Sequence, residues 1–346
     1  MSPPSLPPRG RGTTRLPHSG TSRGGRSLRS ICFRNFTVYA LSLSRRDFGA
    51  AKSKRQLPPG GSLMMPAFGW VSFLKAQTDF GARVPNTMAH KQCGDYLMRK
   101  LQQYGAQITE QEVVLNAYDG TRLQARNIIA SWKSETNNRI LLCAHWDSRP
   151  FCDEDSIPAN RMQPVMGAND GASGVAVLLE IARLMAQHAP RVGVDIIFFD
   201  AEDYGSSQVE HSFCLGSQYW AKNPHKRPYT ARFGILLDMV GGKNPVFAKD
   251  QVSMLFAPDI ANMVWDKAAQ LGYSNVFVST EGGSLIDDHY YVNALANIPC
   301  IDIIHFQNEV GFPATWHTAD DVIEQIDRHT LQVVGTVVTE VLYQLK

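Results

Sequence analysis

The chain has 346 residues, of which 44% are hydrophobic and 19% are charged. Residues 1–63 hold twelve basic residues and one acidic residue, a net charge of +11, whereas residues 64–346 hold 22 basic and 31 acidic residues, a net charge of −9. No run of about 18 apolar residues occurs, so we expect no membrane-spanning helix, and the composition of residues 64–346 excludes a disordered chain.

Residues 1–63 form a basic segment in which Pro, Gly and Ser account for 25 residues. Such a composition buries too little apolar surface to offset the entropy of ordering, so we predict a disordered tail outside the fold. A basic tail can bind phosphates, but no aromatic stacking pattern accompanies it, and we expect no nucleic-acid partner. Residues 44–48 (SRRDF) resemble a twin-arginine export signal that lacks its apolar segment. A start at Met64 or Met65 is the remaining alternative.

From residue 64 onward the hydrophobic pattern alternates between helical and strand periods. The predicted helices are Ala89–Tyr104, Gly174–Ala186, Asp259–Leu271 and Leu331–Leu345. The predicted strands are Gln111–Leu115, Leu123–Ala130, Arg139–Ala144, Val194–Phe199, Gly234–Leu237 and one within Asn297–Ile304. Strands that alternate with helices indicate a layered α/β sheet with helices on both faces. Because no repeat or linker interrupts the pattern, we predict a single domain over residues 64–346.

Polar residues follow the ends of three predicted strands. His145 follows the first, residues 200–203 (DAED) follow the second, and Asp238 follows the third. Ligands of α/β proteins bind beyond the carboxyl ends of the strands, because helices cover both faces of the sheet. Between the first two of these strands, residues 167–174 (GANDGASG) lead into a helix, with Asp170 near its start. These residues are therefore expected to meet at one edge of the sheet.

Each polar residue also has a structural explanation when it is taken alone. Asp170 fits a helix N-cap, His317 fits a partly buried histidine with satisfied hydrogen bonds, and residues 287–288 fit a solvated loop. Taken together, several carboxylates in one cleft repel each other unless a cation neutralises them or they share protons. Carboxylates and a histidine around an open position are typical of a catalytic zinc site, and an unbound glutamate beside it would act as general acid and base.

The order of these motifs resembles the zinc-dependent exopeptidase superfamily of two-zinc aminopeptidases and glutaminyl cyclases. The superfamily pattern is H-x-D, D-G-x-x-G, D-x-E-E, an Asp at a strand end and a late H-T. Its counterparts here begin at His145, Asp170, Asp200, Asp238 and His317. The resemblance covers about Gly81 to Leu345. It implies a three-layer α/β/α sandwich around a mixed, mostly parallel sheet.

Two segments make the chain most similar to the glutaminyl-peptide cyclotransferases, particularly the bacterial forms. They are residues 287–289 (DDH) and residues 312–318 (FPATWHT). A Trp immediately before the late His is typical of the cyclases, because aminopeptidases seldom carry it. The similarity therefore implies conversion of the N-terminal glutamine of a peptide to pyroglutamate with release of ammonia. A two-zinc aminopeptidase that hydrolyses N-terminal residues is the alternative.

The resemblance implies a role for each matched residue. The implied ligands of a single Zn²⁺ are Asp170, Asp203 and His317. The implied catalytic residues are Glu202, as the proton shuttle, with Asp238 and Asp287 beside it. The implied walls of the substrate pocket are Trp316, Phe312 and Phe213. Two residues remain with alternative roles: His145 matches a second-zinc position of aminopeptidases, and Asp288 is the alternative to Asp287.

One residue departs from the superfamily pattern. The superfamily often has Glu-Glu where this chain has Glu202-Asp203. Because Asp is one methylene shorter than Glu, either this strand end lies closer to the metal or Asp203 binds it differently.

The six cysteines allow fifteen full pairings, and the sequence does not choose among them. Cys143 and Cys300 lie in apolar strand patterns, where a free buried thiol is expected. A Cys143–Cys152 disulfide is an alternative for an exported protein. The resemblance favours export and peptide substrates, and we expect a monomer.

Overall fold

The computed structural model describes residues 68–346, which lie within one compact unit. The predicted tail of residues 1–63 lies outside the described residues. The helices are α1 Phe68–Thr78, α2 Met88–Gln103, α3 Ala172–Gln187, α4 Leu215–Lys222, α5 Gln251–Phe256, α6 Pro258–Gln270, α7 Asp288–Ala296 and α8 Arg328–Gln344. The strands are β1 Gln107–Asn116, β2 Arg122–Trp132, β3 Arg139–His145, β4 Gly193–Phe199, β5 Gly234–Asp238, β6 Phe247–Lys249, β7 Phe277–Glu281 and β8 Cys300–Ile304.

Six of these strands form one mixed sheet in the order β1-β2-β4-β3-β5-β8. The pairs β4–β3, β3–β5 and β5–β8 are parallel, whereas β1–β2 and β2–β4 are antiparallel. The predicted mixed, mostly parallel sheet is therefore confirmed. Because β3, β4, β5 and β8 run in the same direction, their carboxyl ends lie at the same edge of the sheet. A separate two-stranded sheet joins β6 and β7.

Helices cover both faces of the large sheet, which confirms the three-layer sandwich. The larger core lies on one face and includes Trp70 of α1, Leu178 of α3 and Val337 of α8. The smaller core on the other face includes Trp220 of α4 and Val292 of α7. Every residue of β3, β4, β5 and β8 is buried, as their apolar runs predict for strands covered on both sides.

Close backbone packing fixes α3 against the sheet. A Cβ on Gly174, in the first turn of α3, would lie 2.2 Å from the carbonyl oxygen of Leu237 in β5. Only glycine therefore permits this approach. The contact holds the start of α3 against the end of β5, so that the loop before α3 lies beside Asp238.

The long, strongly periodic elements agree with their predicted ranges to within a few residues, whereas short elements do not emerge from the pattern. The structure adds α1, α4, α5, α7, β6 and β7. The loop alternative for residues 287–288 is wrong, because Asp287 is the N-cap of α7 and both residues are buried. A helix of eight or nine residues completes too few turns to show a clear period.

Five cysteines lie in the described part of the chain, and all five are free and buried. The alternative disulfide between Cys143 and Cys152 is therefore absent, and Cys143 and Cys300 are the free buried thiols that their strands predict. Among the described residues, no helix has the length and apolar character that a membrane crossing requires.

Candidate active site

The predicted site residues meet around one cavity of about 270 Å³ at the carboxyl edge of the sheet. Nine of them line it: Asp170, Glu202, Asp203, Phe213, Asp238, Asp287, Phe312, Trp316 and His317. His145 and Asp288 are buried behind the lining. A larger crevice of about 680 Å³ lies between α2 and the β1–β2 hairpin. It contains none of the predicted site residues, and its Arg126 is already paired with Asp95 and Glu110.

Asp170, Asp203 and His317 form a buried cluster whose potential ligand atoms all lie within 4.8 Å of one another. The Nε2 atom of His317 lies 3.0 Å from Oδ1 of Asp203 and 3.6 Å from Oδ2 of Asp170. Oδ2 of Asp203 is buried without a hydrogen-bond partner. Two buried carboxylates beside an imidazole, with one oxygen unsatisfied, fit a bound cation, and the donor set of two oxygens and one nitrogen suits Zn²⁺.

Asp170 is not the N-cap of α3, so that alternative is wrong. The N-cap position is Gly171, which has φ = +90° and makes no side-chain capping bond. A Cβ on Gly171 would lie 2.5 Å from the carbonyl oxygen of Asp147, so both the positive φ and the close approach require glycine. This tight turn leaves the Asp170 carboxylate free to face the cluster.

Asp321 and Arg83 hold the loop that carries Asp170, and neither was predicted. The Asp321 carboxylate accepts hydrogen bonds from the backbone N–H groups of Asn169 at 2.7 Å and Asp170 at 3.0 Å. Burial, together with the charge of Asp170, raises the pKa of Asp321 to about 7. The buried Arg83 guanidinium donates to the carbonyl oxygens of Met166 at 2.6 Å and Gly167 at 2.7 Å. In the sequence, Asp321 is marked only by its place four residues after His317, and Arg83 is a single arginine outside any motif.

Asp147 and Arg149 set the position of the Glu202–Asp203 pair. The Asp147 carboxylate accepts the backbone N–H groups of Glu202 at 3.1 Å and Asp203 at 3.2 Å. Arg149 donates to the Asp203 carbonyl oxygen at 2.9 Å. Asp203 thereby reaches His317 despite the side chain that is one methylene shorter than the Glu of the superfamily pattern.

The environment of Glu202 favours its protonated form. Burial raises the pKa of this carboxyl well above its usual value, and the charges of Asp203, Asp287 and Asp288 raise it further, while His145 opposes the shift. A carboxyl group whose pKa lies nearer to neutrality can both accept and donate a proton during a reaction.

His145 bridges two carboxylates beneath the cavity. Its Nε2 atom lies 3.0 Å from Oδ1 of Asp170 and 3.2 Å from Oδ1 of Asp238. Although burial lowers the pKa of His145, Asp147, Asp170 and Asp238 together raise it well above its usual value. Burial in turn raises the pKa of Asp238 to about 7. The same three residues, His145, Asp170 and Asp238, also satisfy the spacing of a second metal site.

Of the two adjacent aspartates, Asp287 faces the cavity. Its carboxylate caps α7 by accepting the backbone N–H of Asp288. Asp288 is completely buried, and burial raises its pKa well above the usual value, followed by the charge of Asp287. Behind this pair, His289 Nε2 lies 3.2 Å from Asp250 and His289 Nδ1 lies 3.8 Å from Asp302. These three residues extend the acidic network away from the cavity.

Aromatic side chains form the opposite wall. The rings of Phe312 and Trp316 stack with centroids 4.4 Å apart, and Trp316 stacks on the His317 imidazole at 3.7 Å. Phe213 also lines the cavity, and its ring packs against Gly205, where a Cβ would lie 2.3 Å from the ring. The Arg149 guanidinium lies 5.4 Å from the Phe213 centroid. The site therefore combines a charged floor, formed by Asp170, Glu202, Asp203 and Asp238, with an apolar wall, formed by Phe213, Phe312 and Trp316.

Residues 127–342 match the family model of peptidase family M28. A crystal structure of Bacteroides thetaiotaomicron glutaminyl cyclase bound to N-acetylhistamine is 52% identical, with a TM-score of 0.81 over 83% of this chain and 100% of that one. A Zn-dependent exopeptidase from Parabacteroides distasonis is 51% identical, with a TM-score of 0.81 over 82% of this chain and 100% of that one.

An aminopeptidase of Bacillus subtilis, YwaD, is a more distant relative. It is 28% identical over 250 residues. The match covers 69% of this chain but only 49% of the aminopeptidase, so the present chain spans about half the length of that relative.

Proposed function

The chain belongs to peptidase family M28, and from this premise we propose that it is a zinc-dependent glutaminyl-peptide cyclotransferase. It would convert the N-terminal glutamine of a peptide to pyroglutamate and release ammonia. The observation that carries the proposal is the small cavity in which an acidic cluster faces the stacked rings of Phe312 and Trp316. The similarity to a glutaminyl cyclase over that protein's whole length supports it.

Asp170, Asp203 and His317 are the proposed zinc ligands. When bound, Zn²⁺ supplies Lewis-acid polarisation of the glutamine γ-carbonyl group. Asp321, Arg83 and the Gly171 turn hold Asp170 in place, and Asp147 with Arg149 holds Asp203. Ligands whose own backbone is fixed in this way need little rearrangement to form a site.

The aromatic wall orients the substrate. The attacking amine and the γ-carbonyl belong to the same glutamine residue, so the protein needs no nucleophile and mainly restricts the conformation of one side chain. Phe213, Phe312 and Trp316 would enclose the methylene groups of that side chain and exclude water from the reacting atoms. The two phenylalanine rings offer apolar surface without a hydrogen-bonding group, and the indole of Trp316 adds one N–H donor.

Glu202 is the proposed proton shuttle. The α-amino nitrogen attacks the γ-carbonyl carbon, a new C–N bond forms, and the bond from that carbon to the amide nitrogen breaks. Glu202 takes a proton from the α-amino group and delivers one to the departing nitrogen, which leaves as ammonia. The raised pKa of Glu202 suits both transfers. Asp238 and Asp287 add negative charge that favours an incoming cationic N-terminus.

The reaction is tested by mass spectrometry of a synthetic peptide that begins with glutamine. The zinc-loaded protein should remove one ammonia mass and leave every peptide bond intact. An otherwise identical peptide that begins with asparagine is the control, because its shorter side chain would close a strained four-membered ring. No mass change with the glutamine peptide, or release of free glutamine, would refute the proposal.

A two-zinc aminopeptidase is the second candidate, favoured by the cluster of His145, Asp170 and Asp238 and by the similarity to YwaD. Against it, His145 Nε2 lies 3.0 Å from Asp170 and 3.2 Å from Asp238, and its raised pKa favours a protonated imidazole, which would compete with a second metal there. Purified protein should therefore contain close to one zinc per chain. We also propose that the protein acts as a monomer.

A further inference from the structure

The thiol of Cys214 touches Glu202 from behind the cavity lining. Its Sγ atom lies 3.1 Å from Oε1 of Glu202 and 4.0 Å from Oδ1 of Asp287. Cys214 is fully buried, and neither the zinc cluster nor the aromatic wall uses it. The other Glu202 oxygen, Oε2, lies 3.9 Å from Nδ1 of His145. The thiol is therefore the hydrogen-bonding group nearest to one specific oxygen of the proposed proton shuttle.

The backbone holds the thiol in this place. The N–H of Cys214 donates to the Glu202 carbonyl oxygen at 2.8 Å, and the N–H of Leu215 donates to the Ala201 carbonyl oxygen at 3.1 Å. A Cβ on Gly216 would lie 2.1 Å from the carbonyl oxygen of Asp200. The start of α4 is thus pressed directly against the segment that follows β4, and glycine is required at the contact.

Both segments adopt an unfavourable backbone conformation to make this contact. Cys214 has φ = 58° and ψ = 33°, and Ala201 has φ = 52°. Left-handed conformations are unfavourable in residues other than glycine and persist only where the surrounding structure holds them. The side-chain contact with Glu202 therefore lies in a region that the fold maintains against local preference.

The thiol keeps its proton in this environment. Burial raises the pKa of Cys214 well above its usual value, and the nearby charges of Glu202 and Asp287 raise it further. A protonated thiol is a weak donor. It can nevertheless orient the Glu202 carboxyl group through its contact with Oε1.

We propose that Cys214 is a positioning residue for Glu202, holding Oε1 so that the carboxylate presents its other oxygen to the substrate. This inference rests on the proposed cyclase function. It predicts that loss of the thiol affects proton transfer, and hence kcat, and does not affect zinc binding or the affinity for substrate.

The test measures zinc content, kcat and KM on a glutamine-initiated peptide for Cys214→Ala and Cys214→Ser. Cys214→Ala should retain its zinc and its KM within about twofold, while kcat falls roughly three- to tenfold, as expected for one lost hydrogen bond. Cys214→Ser keeps a donor of similar size and should recover most of the lost kcat. Cys214→Gly is the third variant. Because glycine adopts φ = 58° without strain, it removes the thiol even if the alanine variant folds poorly.

Cys300→Ala is the matched control, because Cys300 is also a buried free thiol and lies on β8. This substitution should leave kcat unchanged. A purely structural role would lower the melting temperature of Cys214→Ala and leave kcat unaltered, and that result would overturn the proposal. Equal kcat values for the serine and glycine variants would overturn it as well. A wild-type protein that cyclises no peptide would instead refute the proposed function, so the two failures are distinguishable.

Discussion

The floor and the wall of the cavity are built in different ways. The floor residues Asp170, Glu202, Asp203 and Asp238 stand at or just beyond the ends of buried strands or before a buried helix, and buried carboxylates or arginines hold several of their backbones. The wall residues Phe213, Phe312 and Trp316 come from loops and are only partly buried. The comparison shows that the acidic groups are held near strand and helix ends by buried polar contacts, whereas the apolar shape of the cavity is set by loops.

The physical reason is that charged and aromatic side chains differ in how much displacement they tolerate. A misplacement of about 1 Å at a reacting group can lower the rate roughly 100-fold, so these charged groups need supported positions. An aromatic ring contributes through contact area, which tolerates small shifts. Substitutions on the floor should therefore abolish chemistry, and substitutions on the wall should weaken binding.

The largest expected effect follows from loss of a metal ligand. His317→Ala removes the single nitrogen from the cluster and should reduce both bound zinc and turnover to near background. Atomic absorption on dialysed protein measures the metal, and a glutamine-initiated peptide reports the activity. His329→Ala, an exposed histidine of α8, is the control. Full zinc occupancy in His317→Ala would remove this residue from the ligand set.

Glu202→Gln should have the next largest effect. The amide keeps the size of the side chain but cannot carry a proton between the two nitrogens, so kcat should fall by at least about 100-fold, as expected for a general acid and base. Zinc content should be unchanged. Glu112→Gln on the exposed face of β1 is the matched control, and full turnover by Glu202→Gln would exclude the shuttle role.

Asp147→Asn tests the support beneath the floor. Asparagine keeps one acceptor oxygen but places an amide where the carboxylate accepts the second of two N–H groups. Activity should fall roughly 10- to 100-fold, the range seen when groups behind a metal site are changed. Kinetics together with a thermal melt measure the effect. A variant with normal kcat and a lower melting temperature would show that Asp147 contributes only stability.

Trp316→Ala tests the wall. The substitution removes the indole that stacks between Phe312 and His317. We expect its apolar contact to contribute about 1–2 kcal/mol to substrate binding, so KM should rise roughly tenfold. Zinc content should stay the same. If zinc and KM changed together, the indole would be supporting His317, and the division between floor and wall would need to be redrawn.

The smallest effect is expected from removal of the basic segment. A chain that begins at Met65 should show the kcat and KM of the full-length protein, because the proposed zinc ligands, the proton shuttle and the aromatic wall all lie between Asp170 and His317. Parallel kinetics on both proteins provide the measurement. A substantial loss of activity would assign residues 1–64 a part in the site.

The sequence by itself determined the class of sheet, the edge that carries the chemistry and the order of the polar motifs. It could do so because these features are local: an apolar run such as Val194–Phe199 predicts a buried strand, and the acids that directly follow it must lie at that strand's end. The roles of Asp170, Asp203 and His317 remain predictions, and the structure adds that their ligand atoms lie together.

Only the tertiary structure decided which groups support that site. Asp321 accepts the N–H of Asn169, 152 residues earlier. Cys214 meets Glu202 where the two ends of the β4–α4 loop come together, each with a residue in the left-handed conformation. Which of Asp287 and Asp288 faces the cavity is decided by the start of α7, where Asp287 is the N-cap and Asp288 is buried. Such contacts depend on how distant segments pack, and the period of the local sequence carries no information about that packing.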